Sequence, residues 1–304
     1  MKVHVPPIKC QGIKTKLVPI IKNIVEWDYE GRWVEPFVGS GVVGFNILPK
    51  RALFSDSNPY IINLYNTIKS GEITSEKTRA FLESEGEKLS KQGADYYYTV
   101  RERFNRNGSS LDFLFLNRSC FNGVIRFNGN GRFNVPFGHK PNRFSRTYIT
   151  KIVNQISYVQ DALQLNEWEF VCQDFQTTLK QAGENDFIYC DPPYIGRHVD
   201  YYNSWDENQE VKLHQMLLDT KARFILSTWH SNQHRDNLYI DSLWSDFYII
   251  TKEHYYHVGA REKNRKPMLE ALVTNFKPEN IADESMPVQL RLFERREKYL
   301  ADIR

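Results

Sequence analysis

Val34-Glu35-Pro36-Phe37-Val38-Gly39-Ser40-Gly41 is the stretch from which the rest of the chain can be read. Apolar residues of strand type run into glycines, which let the backbone turn tightly and come close to a ligand at the carboxyl edge of an α/β sheet. The spacing predicts strands over 32–37 and 51–55 and a helix over 58–68. Asp56 ends the second strand, where a carboxylate can accept hydrogen bonds from ribose hydroxyls. In Ser55-Asp56-Ser57-Asn58-Pro59 it equally suits a turn or helix cap. Gly39, Gly41 and Gly44 also satisfy G-x-G-x-x-G, so a nicotinamide dinucleotide and an adenosylmethionine-like cofactor both remain open at this point.

Working outward, residues 70–110 are charged and helix-like with no strand signal. Ile149, Ile152, Val153, Ile156, Val159 and Leu163 repeat at helical spacing and predict a helix over 147–163. Strand signals return at 168–172, 186–190, 223–227, 247–251 and 269–276. The expected architecture is a Rossmann-like α/β sheet interrupted by an insertion. Between Arg101 and Lys151 ten basic residues face two acids, Glu102 and Asp112, so the stretch carries +8 in a chain of net charge +3. Nine Phe and Tyr residues are interleaved with them, a composition suited to phosphate contact and base stacking. A solvated basic face is the plainer alternative.

The second deciding motif is Phe187-Ile188-Tyr189-Cys190-Asp191-Pro192-Pro193-Tyr194. Two prolines fix the turn and remove backbone donors, leaving the Asp191 carboxylate and a backbone carbonyl as acceptors. An aromatic amino group attacks poorly because its lone pair is delocalised into the ring. Acceptors for its two protons favour a pyramidal nitrogen and stabilise the positive charge that develops on it. Tyr194 suits stacking on a base flipped out of the duplex. Asp191, Pro192, Pro193 and Tyr194 are therefore the expected catalytic group for methyl transfer to an amino nitrogen. A dehydrogenase would explain only the glycines, and a DNA-binding protein without catalysis would leave Asp191-Pro192-Pro193-Tyr194 unexplained.

These motifs, in this order and with a basic insertion between them, resemble the DNA adenine methyltransferase (Dam) family of the D12 class, with alpha-class motif order. The resemblance runs from about Pro7 to Phe276. Pro7-Ile8-Lys9-Cys10-Gln11-Gly12-Ile13-Lys14 is similar to the family's amino-terminal cofactor motif, with Cys10 and Ile13 replacing an aromatic and a glycine. The resemblance implies S-adenosylmethionine as cofactor, with no metal, held by Lys9, Gly12, Lys14, Glu35, Phe37, Gly39, Gly41, Asp56, Asp174 and Asp191. Leu116-Asn117-Arg118-Ser119-Cys120-Phe121-Asn122-Gly123, Arg126-Phe127-Asn128 and Gly131-Arg132-Phe133-Asn134-Val135-Pro136-Phe137-Gly138 resemble its DNA-reading hairpin. Gly129-Asn130-Gly131 is a turn signal between Phe-rich arms, and a two-stranded ribbon fits a major groove. Arg126 can pair with guanine, and Asn128 and Asn134 with adenine or phosphate. Arg118, Asn122, Pro136, Lys140 and Arg143 complete the expected DNA contacts. Likeness to readers of GATC makes a site containing GAT the first expectation. RNA adenine and DNA cytosine amino groups are competing substrates, since the same acceptors serve any conjugated amino nitrogen.

The resulting division is a discontinuous methyltransferase domain over 1–69 and 172–276, a mainly helical target-recognition domain with a β-hairpin over 70–171, and a charged tail over 277–304. Double-stranded DNA is the expected partner of a monomer, with a restriction endonuclease as a functional partner. In the tail, Gln289-Leu290-Arg291-Leu292-Phe293 resembles the peptide by which bacterial DNA enzymes dock on the sliding clamp. An amphipathic helix with Leu290 and Phe293 on the core is the favoured reading of this segment, and the clamp peptide the alternative. The loop 258–266 is basic and contains Gly259, which suits DNA contact or closure over a base.

With 41% apolar residues over 304 positions the chain can bury a large core. It has no run of 18 apolar residues, and Met1-Lys2-Val3-His4 opens no secretory signal, so a cytoplasmic protein without a membrane span is expected. Cys10, Cys120, Cys172 and Cys190 lack C-x-x-C spacing and are expected to be buried free thiols. His230 with His234, and His254 with His257, lack carboxylate or Cys neighbours in a ligand pattern and are expected to be structural or solvent-facing.

Overall fold

The computed structural model describes residues 2–25, 27–195, 205–232, 235–255, 267–278 and 288–289. Its strands are β1 (Trp33–Glu35), β2 (Arg51–Asp56), β3 (Glu167–Cys172), β4 (Phe187–Cys190), β5 (Arg223–Asn232), β6 (Arg235–Asp236), β7 (Tyr248–Tyr255), β8 (Pro267–Thr274) and β9 (Val288–Gln289). They form one sheet in the order β3-β2-β1-β4-β5-β8-β7-β9, with β6 beside β5. Strands β1 to β5 are mutually parallel, and β8 runs antiparallel to both β5 and β7. From β1 the chain steps outward through β2 to β3 on one side, and from β4 to β5 and then to the antiparallel strands β8, β7 and β9 on the other. The β1–β4 junction is thus the switch point, where the loops after both strands open a crevice at the carboxyl edge.

Around the sheet lie α1 (Val18–Ile24), α2 (Gly44–Ile47), α3 (Pro59–Lys69), α8 (Phe175–Lys180), α9 (Glu207–Asp219) and α10 (Leu238–Ser242). The insertion contributes α4 (Ser75–Gln92), α5 (Ala94–Asn107), α6 (Ser110–Ser119) and α7 (Arg146–Leu165). The caps are legible locally: Asn58 accepts from the Tyr60 amide at 3.0 Å with Pro59 in the first turn, and Asp174 accepts from Thr177 at 2.8 Å.

Two expectations about organisation change. Residues 167–171, assigned with the insertion, belong to β3 (Glu167–Cys172), which pairs with β2 along its whole length. The stretch beginning at Leu116, expected to open the hairpin, is the last turn of α6, because Leu111, Leu114 and Phe115 carry an apolar face capped by Ser109. Within the tail, Val288–Gln289 pairs antiparallel with β7 as an added edge strand. Residues 290–293 of the clamp-like motif, the loop 258–266, His234 and His257 lie outside the described residues.

Nor is the insertion a separately cored domain. One hydrophobic cluster takes Phe54 and Trp168 from the sheet and Leu82, Val100, Phe113 and Ile156 from the insertion. Tyr60 of α3 stacks on Phe127 of the hairpin at 4.9 Å. The amino-terminal segment is laced to α6, with Asn117 bonding the Lys9 amide and carbonyl at 2.8 and 2.9 Å. Within the insertion, Arg103 bridges the buried carboxylates of Glu85 and Asp112 at 2.6 and 2.5 Å, which locks α4, α5 and α6 together. All four cysteines are free; Cys172, at the end of β3, is exposed rather than buried. Among the described residues no helix is long and apolar enough to cross a membrane.

Candidate active site

The glycine turn after β1 is fixed by backbone bonds to β2. Val38 N–H donates to Ser55 O at 2.8 Å, and Gly39 N–H to the Asp56 carboxylate at 2.9 Å. The other Asp56 oxygen accepts from Asn58 N–H at 2.8 Å. Burial pushes the Asp56 carboxyl above its ordinary value, with these two amides opposing. A carboxylate has about four lone-pair sites, so acceptor capacity for ribose hydroxyls remains. Gly41 has φ +68°, and a β-carbon there would lie 2.4 Å from the ring of Phe45, so only glycine fits. Gly39 has φ +47°, and its nearest neighbour on the missing side-chain side is Cys10 Sγ at 3.9 Å, which leaves that face of the turn open.

Glu35 departs from its expected place at the cofactor. It is 2% exposed and lies behind the turn, accepting from Gly44 N–H at 2.7 Å and Trp33 Nε1 at 2.9 Å. Burial pushes its carboxyl up to about 8, against the pull of those two donors. A carboxyl raised on folding binds more protons in the folded state, so its contribution to stability is lost as pH rises from the ordinary carboxylate range through 8. Glu35→Gln keeps an acceptor without the charge. It is expected to raise Tm by several degrees above pH 8 and to change it little at pH 5, as calorimetry at the two pH values would measure.

Across the switch point, the turn after β4 meets the amino-terminal segment. Lys14, 5% exposed, places its ammonium 2.8 Å from Asp191 Oδ1 and 2.6 Å from the Gly12 carbonyl. The same ammonium stands 4.8 Å from the centre of the Tyr194 ring. Burial pushes the Asp191 carboxyl up to about 6, with Lys14 pulling it down and Glu270 pushing it further up. Tyr194 donates its hydroxyl to Glu270 of β8, and Trp229 Nε1 donates to Ile195 O at 3.2 Å, tying the turn to the antiparallel strands. Cys10 lies where both Asp56 and Asp191 act on it: burial and then these two carboxylates push its thiol up. Phe37 stacks on Phe175 at 5.4 Å and meets Trp205 edge-on at 5.5 Å, an aromatic wall beside Asp174. Asp174 itself is exposed and occupied as the cap of α8.

Lys9 follows the amino-terminal segment to α6 and the loop after it. Its side chain packs against Gly123, and burial lowers its ammonium's pKa, with Arg143 and Arg118 adding to this and Tyr148 opposing. Burial raises the Tyr148 phenol, but Arg118, Lys9 and Arg143 outweigh that and leave it below its ordinary value. Arg118 likewise departs from its expected place at a phosphate: it is 4% exposed, donating to Pro7 O and Gln155 Oε1, both at 2.6 Å. Arg143 donates to Tyr148 Oη at 2.7 Å and lies over its ring.

Between Ser119 and Gly138 the two arms meet at two isolated antiparallel bridges, Cys120 with Phe137 and Phe127 with Phe133, and not as the continuous two-stranded ribbon expected. Phe121 N–H bonds Pro136 O at 2.9 Å, Gly138 N–H bonds Ser119 O at 3.0 Å, and Asn128 N–H bonds Arg132 O at 2.9 Å. Arg126 Nε donates to Asn134 Oδ1 at 2.8 Å, bringing two expected base-reading residues together across the ribbon. The Asn128 side-chain oxygen closes the tip, accepting from the amides of Asn130 and Arg132 at 3.0 and 3.1 Å, so its amino group is the part left to face a partner. Asn122, Pro136 and Lys140 are exposed. Phe121, not singled out from sequence, is 51% exposed beside Asn122 at the foot of the ribbon. An aromatic left in water beside a basic ribbon was the signal available.

Fold and site together define a doubly wound α/β protein whose switch-point crevice is bordered by an acid, two prolines and a tyrosine, with a basic segment in the insertion. The model of the family described as D12 class N6 adenine-specific DNA methyltransferase matches residues 11–258. The chain belongs to that family. It is 30% identical over 287 residues to the Type II methyltransferase M.FokI of Planomicrobium okeanokoites, covering 89% of this chain and 42% of that protein. It is 28% identical to the Type II methyltransferase M1.LlaDCHI of Lactococcus lactis subsp. cremoris, covering 90% and 97% respectively. With the DNA adenine methylase of Haemophilus influenzae it shares 35% identity, covering 63% and 64%. The chain thus spans less than half of the first of these relatives and nearly all of the second.

Proposed function

We propose that this chain transfers the methyl group of S-adenosylmethionine to the N6 amino group of an adenine flipped out of duplex DNA. The observation that carries the reading is the meeting of Lys14, Asp191 and Tyr194 opposite the open face of Gly39 at the switch point. When bound there, S-adenosylmethionine provides an electrophilic methyl group on a sulfonium. The Gly39–Gly41 backbone and the Asp56 carboxylate would hold it, with Phe37 walling the crevice. Asp191 and a carbonyl of the following prolines accept the amino protons, aim the nitrogen lone pair, and stabilise the charge it acquires. Lys14 keeps Asp191 ionised and oriented. Tyr194 stacks on the extruded base. The amino nitrogen would take the methyl group that the cofactor supplies and lose one proton to solvent, with Asp191 stabilising the positive charge until that proton leaves. No cysteine attacks: Cys10 and Cys190 have thiols pushed up by burial.

The hairpin supports direct reading of the major groove by Arg126 with Asn134, backed by Lys9 and Arg143 and edged by Asn122, Pro136 and Lys140. Arg126→Ala is expected to lower kcat/KM on the preferred site by about 10- to 100-fold and to narrow its ratio to non-preferred sites. Lys140→Ala is expected to weaken all sequences alike and reduce the salt slope of binding by about one. Competition assays across salt concentrations separate the two.

The Type II names of two relatives support a restriction endonuclease as functional partner. The deciding experiment is transfer of labelled methyl to unmethylated bacterial DNA, with mass spectrometry of the nucleosides. N6-methyladenine is the expected product; N4-methylcytosine, or label in RNA alone, would overturn the assignment.

A further inference from the structure

Glu270 sits in the middle of β8, cross-strand from Trp229 of β5 and Lys252 of β7, and is 1% exposed. Ala271, Leu272 and Val273, which follow it, are all buried. An acid at such a position carries a desolvation cost that an apolar residue would avoid. It accepts the hydroxyl of Tyr194, 76 residues away in sequence.

We propose that Glu270 is a positioning residue for methyl transfer, acting through the Tyr194 hydroxyl to fix the plane of the ring on which the extruded base stacks. The ring is held at two points. Its hydroxyl end is bonded to Glu270, and its face lies under the Lys14 ammonium that also grips Asp191. A chain of contacts therefore runs from β8 through Tyr194 and Lys14 to the carboxylate that meets the amino group. Rotation of Tyr194 would move the stacking surface relative to Asp191, and misplacement by about 1 Å costs on the order of 100-fold in rate. Trp229, beside Glu270 on β5, holds the backbone at Ile195, so the same pair of strands fixes both the backbone and the ring of the turn.

This inference rests on the proposed role of Tyr194, and the test separates the two. Steady-state kinetics would be measured for Glu270→Leu, Tyr194→Phe, the double variant, Glu270→Gln and Tyr194→Ala, with cofactor and DNA KM and Tm for each. Glu270→Leu is expected to lower kcat by about 10- to 100-fold, with KM for both substrates within about two-fold; its Tm should fall, because the buried Tyr194 hydroxyl loses this acceptor, and should recover in the double variant with Tyr194→Phe. In the Tyr194→Phe background, where the hydroxyl is already gone, the same substitution is expected to cause no further loss. Glu270→Gln, which keeps an acceptor of the same shape, is expected to restore most of kcat. It is also expected to move the acidic limb of the pH profile downward, because a negative charge near Asp191 is removed. Full kcat in Glu270→Leu, or an equal loss with and without the Tyr194 hydroxyl, overturns the positioning role. If Glu270→Leu does not fold, the Glu270→Gln and Tyr194→Phe cycle decides: a loss in Glu270→Gln that persists undiminished in Tyr194→Phe overturns it. Retained activity in Tyr194→Ala overturns instead the site reading on which it rests.

Discussion

Asp191→Ala is expected to lower methyl transfer by about 1,000-fold or more, while cofactor affinity stays within a few-fold, as labelled-methyl assays and equilibrium binding would show. The asymmetry follows from geometry: the glycine turn and Asp56 hold their own bonds to β2 and need nothing from Asp191. Since Asp191 must be ionised to accept amino protons, and its carboxyl stands at about 6, activity should fall as pH drops through 6. Lys14→Met removes the cation that pulls this carboxyl down, so the acidic limb should move above 6 and the residual rate should drop. The stability sign runs opposite to the activity sign. A carboxyl raised on folding destabilises the fold as pH climbs through its folded value, so Asp191→Ala should melt higher than the parent at pH 8. A variant that loses activity and stability together would point to collapse of the turn rather than loss of an acceptor.

The second large effect is expected at Gly41. An alanine there must hold φ near +68° and place its β-carbon 2.4 Å from a ring that is itself fully buried against Phe54, Tyr65 and Trp168. The backbone conformation and the forced overlap together cost about 2–5 kcal/mol, and the turn is expected to open rather than the ring to yield. Cofactor binding should be lost at any accessible concentration, with Tm lowered by about 10 °C. Gly39→Ala is the contrast, since its nearest neighbour on that side is at 3.9 Å. It should keep most of the fold and lose affinity through the space taken from the ligand.

Much of this frame can be read locally. The strands around Val34, Leu53 and Ile188 are short apolar runs that end in turn residues, and Asn58-Pro59 announces α3. What local pattern cannot reach is contact at a distance. The Lys14–Asp191 pair and the Tyr194–Glu270 bond join residues from opposite parts of the chain through strand order alone. An acid inside the apolar strand of Leu269, Ala271, Leu272 and Val273 was the available sign at Glu270. Arg118 and Glu35 show the reverse error. Each residue type suited a ligand, but Arg118 closes α6 onto Pro7, and Glu35 braces the turn from behind. Of the hairpin only the turn was legible, because Gly129-Asn130-Gly131 is a local signal, while its arms pair at two bridges alone; α6 was hidden by a run of apolar residues that serves a buried helix as well as a strand.

The lacing of Asn117 to Lys9, the stack of Tyr60 on Phe127, and the common core bear on how recognition sequences diversify in such a chain. Transplanting residues 70–166 from a relative would sever the Lys9 and Pro7 bonds and set Tyr60 against foreign side chains. The specificity segment is therefore not a detachable cassette. Residues 128–132, by contrast, bond largely among themselves across the tip. With the side chains of Arg126 and Asn134 they form a strip that can vary while the buried junction stays constant. Under the proposed reading of bases by Arg126 and Asn134, a change of target sequence requires substitution only at that strip and leaves the buried junction, and the fold it carries, untouched.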